Sequence, residues 1–257
     1  MGFIFIFLLG LFIGSFLNVL ADRLSRGEAV IKGRSHCEKC KKTLKWLDLI
    51  PLLSFLFLKG KCRYCRVRLS LFYPITELTT GILFAGVFLF LGGANINLIT
   101  IINIIYYLFI LSSLIVIFFA DLKYGIIPDK IIFSAVFIAI AYSFFNHQSL
   151  IINHFLSGLG ALLFFLSLFL VTKGRGMGFG DVKFAFLMGL ILGFPNIITG
   201  LYIAFLTGAI VGIILILWRR KKAFGTAIPF GPFLVLGTLG ALFWGEIILQ
   251  KVLSVLR

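Results

Sequence analysis

Two stretches of this chain run longer without a charged residue than a soluble fold tolerates: Leu78 to Ala120, 43 residues, and Ile131 to Thr172. A helix needs about 20 apolar residues to cross a hydrocarbon core of about 30 Å, so each stretch has the length for two crossings joined by a turn. Each also has a turn near its midpoint. Gly92-Gly93-Ala94-Asn95-Ile96-Asn97 breaks the first and Phe145-Asn146-His147-Gln148 the second, with the glycines and polar side chains that helix-to-helix turns favour. Met1 to Ala21 supplies one span, Phe184 to Trp218 two tight ones divided at Pro195-Asn196, and Ala223 to Gln250, charged only at Glu246, a last one. The expected fold is an all-α polytopic membrane protein of about eight transmembrane helices. A hydrophobic content of 61% with 13% charged residues excludes an ordinary soluble domain.

No Lys or Arg precedes the first apolar run, while Arg23 and Arg26 follow it. That suits a retained helix with its N-terminus outside better than a signal peptide cleaved near Val19-Leu20-Ala21. Eight crossings from that start place residues 22–72, 121–130, 173–183 and 219–222 in the cytoplasm, with 22 of the 24 Lys and Arg residues, and leave both termini outside. A single crossing through Phe184 to Trp218 would put Arg219-Arg220-Lys221-Lys222 outside and weaken this bias, so two are expected. The net charge of +15 is spread over loops beside spanning helices. Anionic lipid headgroups, and not nucleic acid, are therefore the expected partner. The sequence leaves the oligomeric state open.

The expected divisions are a first transmembrane helix over 1–21, a cytoplasmic zinc-binding domain over 22–72, and a seven-helix membrane domain over 73–257. A fifty-residue module is too small to rely on its core and calls for a staple. Leu49-Ile50-Pro51-Leu52-Leu53-Ser54-Phe55-Leu56-Phe57-Leu58 within it is too short to span and contains a proline. This run is expected to pack on the metal knuckles or to lie in the membrane interface. No internal repeat stands out.

The staple is legible in the four cysteines. Cys37-Glu38-Lys39-Cys40 and Cys62-Arg63-Tyr64-Cys65 are two C-x-x-C pairs 21 residues apart, close to the spacing of four-thiolate zinc sites. Two intervening residues let both sulfurs of a knuckle face one ion, and the longer loop returns the second knuckle to complete a tetrahedron. Neighbouring Lys and Arg favour thiolates and offset the charge of a Zn(Cys)4 centre. Two disulfides or a redox dithiol are the alternatives, and a cytoplasmic position disfavours persistent disulfides. With four protein ligands the Zn(2+) would be structural.

Of nine acidic residues, Glu77, Asp121, Asp129, Asp181 and Glu246 lie near the spans. Ionisable groups at membrane depth are costly and are candidates for function. Asp121 ends the 43-residue charge-free stretch, and Asp181 follows Gly174-Arg175-Gly176-Met177-Gly178-Phe179-Gly180. With two spans between them, parity puts both at one membrane face. A carboxylate pair there can run aspartic-protease chemistry, one group activating water while the other, protonated, polarises the scissile carbonyl. Gly178 and Gly180 allow a backbone that can lie against a peptide. Simpler roles compete: Asp121 as an interfacial partner of Lys123, Asp181 as a helix cap, Asp129 as the N-cap of the fourth span, Lys183 as a snorkelling lysine, and Glu77 as a cap or ion pair of the second span. His36, His147 and His154 show no metal-site spacing, and the last two fall on the outer side.

Gly14-Ser15-Phe16-Leu17-Asn18-Val19 with Arg23-Leu24, the paired cysteines, Tyr73-Pro74-Ile75-Thr76-Glu77, Asp121 with Ile127-Pro128-Asp129, and Gly178-Phe179-Gly180-Asp181-Val182-Lys183 occur in that order. Together they resemble the type IV prepilin peptidases. The family pattern usually has proline after the Arg-Leu pair, where this chain has Ser25, a departure in a loop. The resemblance implies a bifunctional enzyme that removes the short basic leader of prepilins and pseudopilins at the cytoplasmic face of the inner membrane. It then N-methylates the new terminal residue with S-adenosylmethionine. Asp121 and Asp181 become the implied catalytic pair, with Gly178, Gly180, Lys183, Asp129 and Glu77 in support. No dinucleotide-type fingerprint marks a methyl-donor site. A proton- or cation-coupled transporter using the intramembrane aspartates, and a membrane thiol carrier using the cysteines, are the alternatives from other classes.

Overall fold

The computed structural model describes residues 2–30, 33–91, 97–146, 151–219 and 229–255. Most of the turn expected at 92–97, His147 and Gln148 of the second turn, and Arg220 to Lys222 lie outside the described residues. The chain divides into two compact units, Met1–Val116 and Ile117–Arg257.

Unit 1 is built on two helices, α1 (Gly2–Ser25) and α3 (Phe72–Phe90). Small residues set their approach: a Cβ on Gly10 would stand 2.7 Å from Gly81 Cα, and one on Gly14 would stand 2.8 Å from Glu77 Cα. Lipid chains are as apolar as Leu, so close backbone packing and polar links hold such helices together. Asn18, buried on α1, provides a link by donating to the Tyr73 carbonyl at 3.2 Å. The α1 helix continues past Ala21, and the buried Arg23 in its last turn donates to the carbonyls of Val30, Gly33 and Arg34. Those bonds steer the chain out of the helix.

Between α1 and α3 lies the module that carries the four cysteines, the candidate metal module. It contains a 3-10 turn (Trp46–Leu49) and the short helix α2 (Leu53–Phe57). The two cysteine knuckles repeat one another, a duplication that sequence inspection passed over. In the first, the Cys37 N–H donates to Lys42 O, the Lys41 N–H donates to Cys37 O, and His36 bridges Thr43. In the second, the Cys62 N–H donates to Val67 O, the Arg66 N–H donates to Cys62 O, and Lys61 bridges Arg68. Lys41 and Arg66, each directly after the second cysteine of its pair, have φ of 56° and 54°. The αL turn that aims both sulfurs inward is thus made at a basic residue in each copy.

The helix α4 (Leu98–Tyr124) runs through the division between units. Unit 2 continues with α5 (Asp129–Asn146), α6 (Ile151–Val171), α7 (Phe179–Leu192), α8 (Asn196–Arg219) and α9 (Gly231–Val255). Its centre is α7, which is buried almost all round and touches α5, α6, α8 and α9. Apolar residues on every face suit such a helix, since no side of it meets water. Glycines again bring backbones together, Gly158 on α6 against Gly189 on α7 and Gly200 on α8 against Gly237 on α9.

Among the described residues six helices are long and apolar enough to cross a membrane: α1, α3, α4, α6, α8 and α9. The all-helical polytopic architecture therefore stands, with six candidate spans where about eight were expected. The other two helices of comparable character are α5, which opens on Asp129 and Lys130, and α7, whose 14 residues measure about 21 Å. Leu192 ends α7 and Asn196 opens α8, so the break does fall around Pro195.

Candidate functional site: a carboxylate pair in unit 2 and a four-thiolate cluster in unit 1

The last turn of α4, the first turn of α7 and the start of α9 converge within unit 2. Asp121 is buried in that last turn, and its Oδ2 accepts the Gly231 N–H at 2.8 Å. Gly231 is the first residue of α9, so the carboxylate meets the positive end of a helix dipole. A Cβ at position 231 would stand 2.6 Å from that oxygen, so only glycine permits the approach. Phe230 anchors the start of α9, its ring 5.3 Å from that of Phe205 and 6.3 Å from that of Phe165.

Asp181, also buried, occupies the third position of α7, and its Oδ2 accepts the Gly178 N–H at 3.1 Å. It therefore does cap its helix. Capping uses one oxygen, and Oδ1 of each aspartate has no hydrogen-bond partner among the described residues. The two carboxylates lie close enough for the charge on Asp121 to bear on Asp181. Gly180 lets the turn before α5 pack on α7, since a Cβ there would stand 3.1 Å from Ile127 Cβ.

Lys183, one turn helix-ward of Gly180, forms an ion pair with Asp129 at 2.7 Å. Its ammonium also lies 5.2 Å from the Phe179 ring and 5.8 Å from the Phe133 ring. Asp129 is the first residue inside α5, one position beyond the N-cap expected of it, and its ion pair ties α5 to α7. Glu77 lies in unit 1, buried on α3, where it accepts the Leu52 N–H at 2.8 Å and so fastens the metal module to that helix. His154 donates from Nδ1 to the Leu190 carbonyl at 2.8 Å. His36 lies beside the Arg34 carbonyl.

All four thiols of Cys37, Cys40, Cys62 and Cys65 lie within 4.8 Å of one another. Tetrahedral thiolates about 2.3 Å from a zinc ion stand about 3.8 Å apart, and Cys37 Sγ is 3.8 Å from Cys65 Sγ. The cluster can therefore hold a metal ion. Burial raises the Cys37 pKa, but the N–H groups of Cys40 and Lys39 and the neighbouring Cys62 and Cys40 thiols outweigh it and bring the value down to about 7. At Cys65 the Val67 N–H favours the thiolate, yet burial and the other three thiols push the value up to about 11. Without a cation the four sulfurs cannot all ionise at neutral pH; a bound metal displaces the remaining protons.

Residues 8–91 match the Bacterial Peptidase A24 N-terminal domain and residues 108–213 match the Type IV leader peptidase family. A protein of Bacillus subtilis (strain 168) named prepilin leader peptidase/N-methyltransferase is 33% identical over 246 residues, 95% of either chain. The chain belongs to the type IV leader peptidase family. Relatives with the same name in Aeromonas salmonicida (strain A449) and Pseudomonas aeruginosa are 30% and 29% identical, covering 98% and 96% of this chain and 94% and 92% of theirs. No solved structure matches.

Membership of the family, together with six apolar helices, makes the chain a multi-pass membrane protein. The leader-peptidase segment contains Asp121, Asp129, Asp181 and Lys183, and the N-terminal domain contains all four cysteines and Glu77. Gly231 falls beyond both segments, and sequence reasoning missed it. The available signal was Gly231-Pro232 at the head of a span, where proline pre-sets the first helical turn. The transporter alternative finds no support among these relatives.

Proposed function

We propose that this protein is a membrane aspartic endopeptidase that cuts the leader from prepilins or pseudopilins at the cytoplasmic face and N-methylates the residue so exposed. The observation that carries the peptidase half is two buried aspartates from distant helices, each held through Oδ2 by a backbone N–H, with the charge on Asp121 bearing on Asp181. In this reading the ionised member of the pair takes a proton from water as its oxygen attacks the scissile carbonyl carbon. The protonated member hydrogen-bonds the carbonyl oxygen and supplies the proton that the leaving amine needs when the C–N bond breaks. Gly178 leaves space for an extended peptide beside Asp181, Gly180 lets Ile127 pack against the start of α7, and the Lys183–Asp129 pair holds the α7 turn in position.

Substrate class and methylation rest on the names of the relatives. S-adenosylmethionine would donate its methyl to the new amine, and its binding residues are unassigned. The four cysteines hold structural Zn(2+), the donor set and sulfur spacing being what that ion takes. Arg and Lys in residues 22–72 face anionic headgroups of the cytoplasmic leaflet, both termini being outside.

The test is incubation of purified protein with a prepilin in detergent. Removal of the leader by wild type, and its loss in both Asp121→Asn and Asp181→Asn, is the expected result. Normal cleavage by either variant would refute the assignment.

A further inference from the structure

A fifty-residue module in water would bury an apolar run such as Leu49 to Leu58 over its metal knuckles. This module does so only in part. Pro51 is buried, and Phe55 lies under the second knuckle, its ring 3.0 Å from where a Cβ on Gly60 would stand. The larger side chains turn the other way: Trp46 is 74% exposed, Leu56 69% and Phe57 82%, with Leu47, Leu49 and Leu53 exposed beside them. The 3-10 turn and α2 touch, so these six exposed side chains lie on two adjoining elements. So many large apolar side chains exposed on one small module mark a surface that is covered in use.

We propose that this surface is a membrane foot, inserted in the interfacial zone of the leaflet that α1 leaves and α3 re-enters. Three observations choose lipid as the occupant. The module is tethered at both ends, Ser25 and Phe72, to candidate spans, so it cannot move far from the bilayer surface. The Glu77 carboxylate holds Leu52, in the middle of the segment, on α3 one turn inside its N-terminal end. The charge is complementary as well. Residues 22–72 carry 13 basic and 4 acidic side chains, and two of the acids, Asp48 and Glu38, already pair with Arg63 and Arg26. Trp, Phe and Leu flanked in sequence by Lys45, Lys59 and Lys61 is the composition that seats a surface segment among anionic headgroups. The foot fixes the metal knuckles at one depth against the membrane. It rests on the membrane assignment and not on the role of the aspartates.

Trp46 reports on its own position once the other two tryptophans are removed. Full-length, metal-loaded Trp218→Phe/Trp244→Phe protein would be reconstituted into phosphatidylcholine–phosphatidylglycerol vesicles, with and without bromine on the acyl chains. Bromolipid should remove most of the Trp46 emission while aqueous iodide removes little. Adding Leu56→Asp and Phe57→Asp should reverse both responses, with zinc content unchanged as evidence that the knuckles still fold. Quenching by iodide and not by bromolipid would put the foot in water. Quenching by neither would mean protein covers it, whether a second copy or a bound pilin. Either result overturns the proposal. Asp181→Asn should quench like its parent, so failure of the peptidase assignment would leave this result unaffected.

Discussion

The four thiols come from a segment in which the farthest pair, Cys37 and Cys65, is separated by 28 positions, whereas Asp121 reaches its backbone partner across 110. The first centre closes through local turns. Each knuckle makes its own backbone bonds, and one bound ion would join the two. The second exists only after three helices have packed, because no local bond connects α4, α7 and α9. Damage to the metal module should therefore appear as lost folding, and damage to the carboxylate site as lost chemistry on a folded protein.

The sharpest way to break this contrast is Asp181→Asn. Prepilin cleavage should fall by roughly 10²–10⁴-fold or more, the size of a lost acid–base group, with zinc content and thermal stability near wild type. Cys37→Ser should do the reverse. Structural zinc in small modules contributes apparent energies of about 10–16 kcal/mol, so metal content and folded yield should collapse together. Whatever folded, metal-loaded fraction remains should cleave normally. A Cys37→Ser protein with full zinc and an unchanged melting temperature would remove the staple from the account.

Gly231→Ala tests the part of the site that was not legible in the sequence. Its methyl would collide with Asp121 Oδ2, and overpacking of this kind costs about 1–3 kcal/mol. Cleavage should drop roughly 5- to 150-fold with the zinc module untouched. Lys183→Met should have a smaller effect. Its partner Asp129 has a side chain 55% exposed, and such pairs contribute at most about 1 kcal/mol, so a loss of less than about fivefold is expected. At the bottom of the scale, Lys41→Gly relieves the αL penalty of the first knuckle. It should raise the thermal stability of the metal-loaded protein by the equivalent of about 1 kcal/mol or less, with no change in cleavage.

The same contrast explains what the sequence revealed. Cysteine spacing and charge-free lengths are local patterns, so the thiolate cluster and the α-helical membrane architecture were visible before any coordinates. Asp121 and Asp181 stood out because acids are scarce near spans. Gly231 carries no such mark: its role depends on where the head of α9 lands, and no periodicity encodes that. Packing likewise gives α7 its central place, so its 14 residues could be read as a span but not as the axis of unit 2. The knuckle duplication went unnoticed because its shared element is an αL turn at Lys41 and Arg66, a backbone conformation that basic residues do not advertise.

Whether Asp121 and Asp181 act as one unit is best tested by measuring kcat/KM for prepilin cleavage in wild type, Asp121→Asn, Asp181→Asn and the double variant. Groups that share one chemical step are grossly non-additive, so the double variant should be no slower than the worse single. Losses that multiply would mean the two carboxylates work independently and would contradict the shared site.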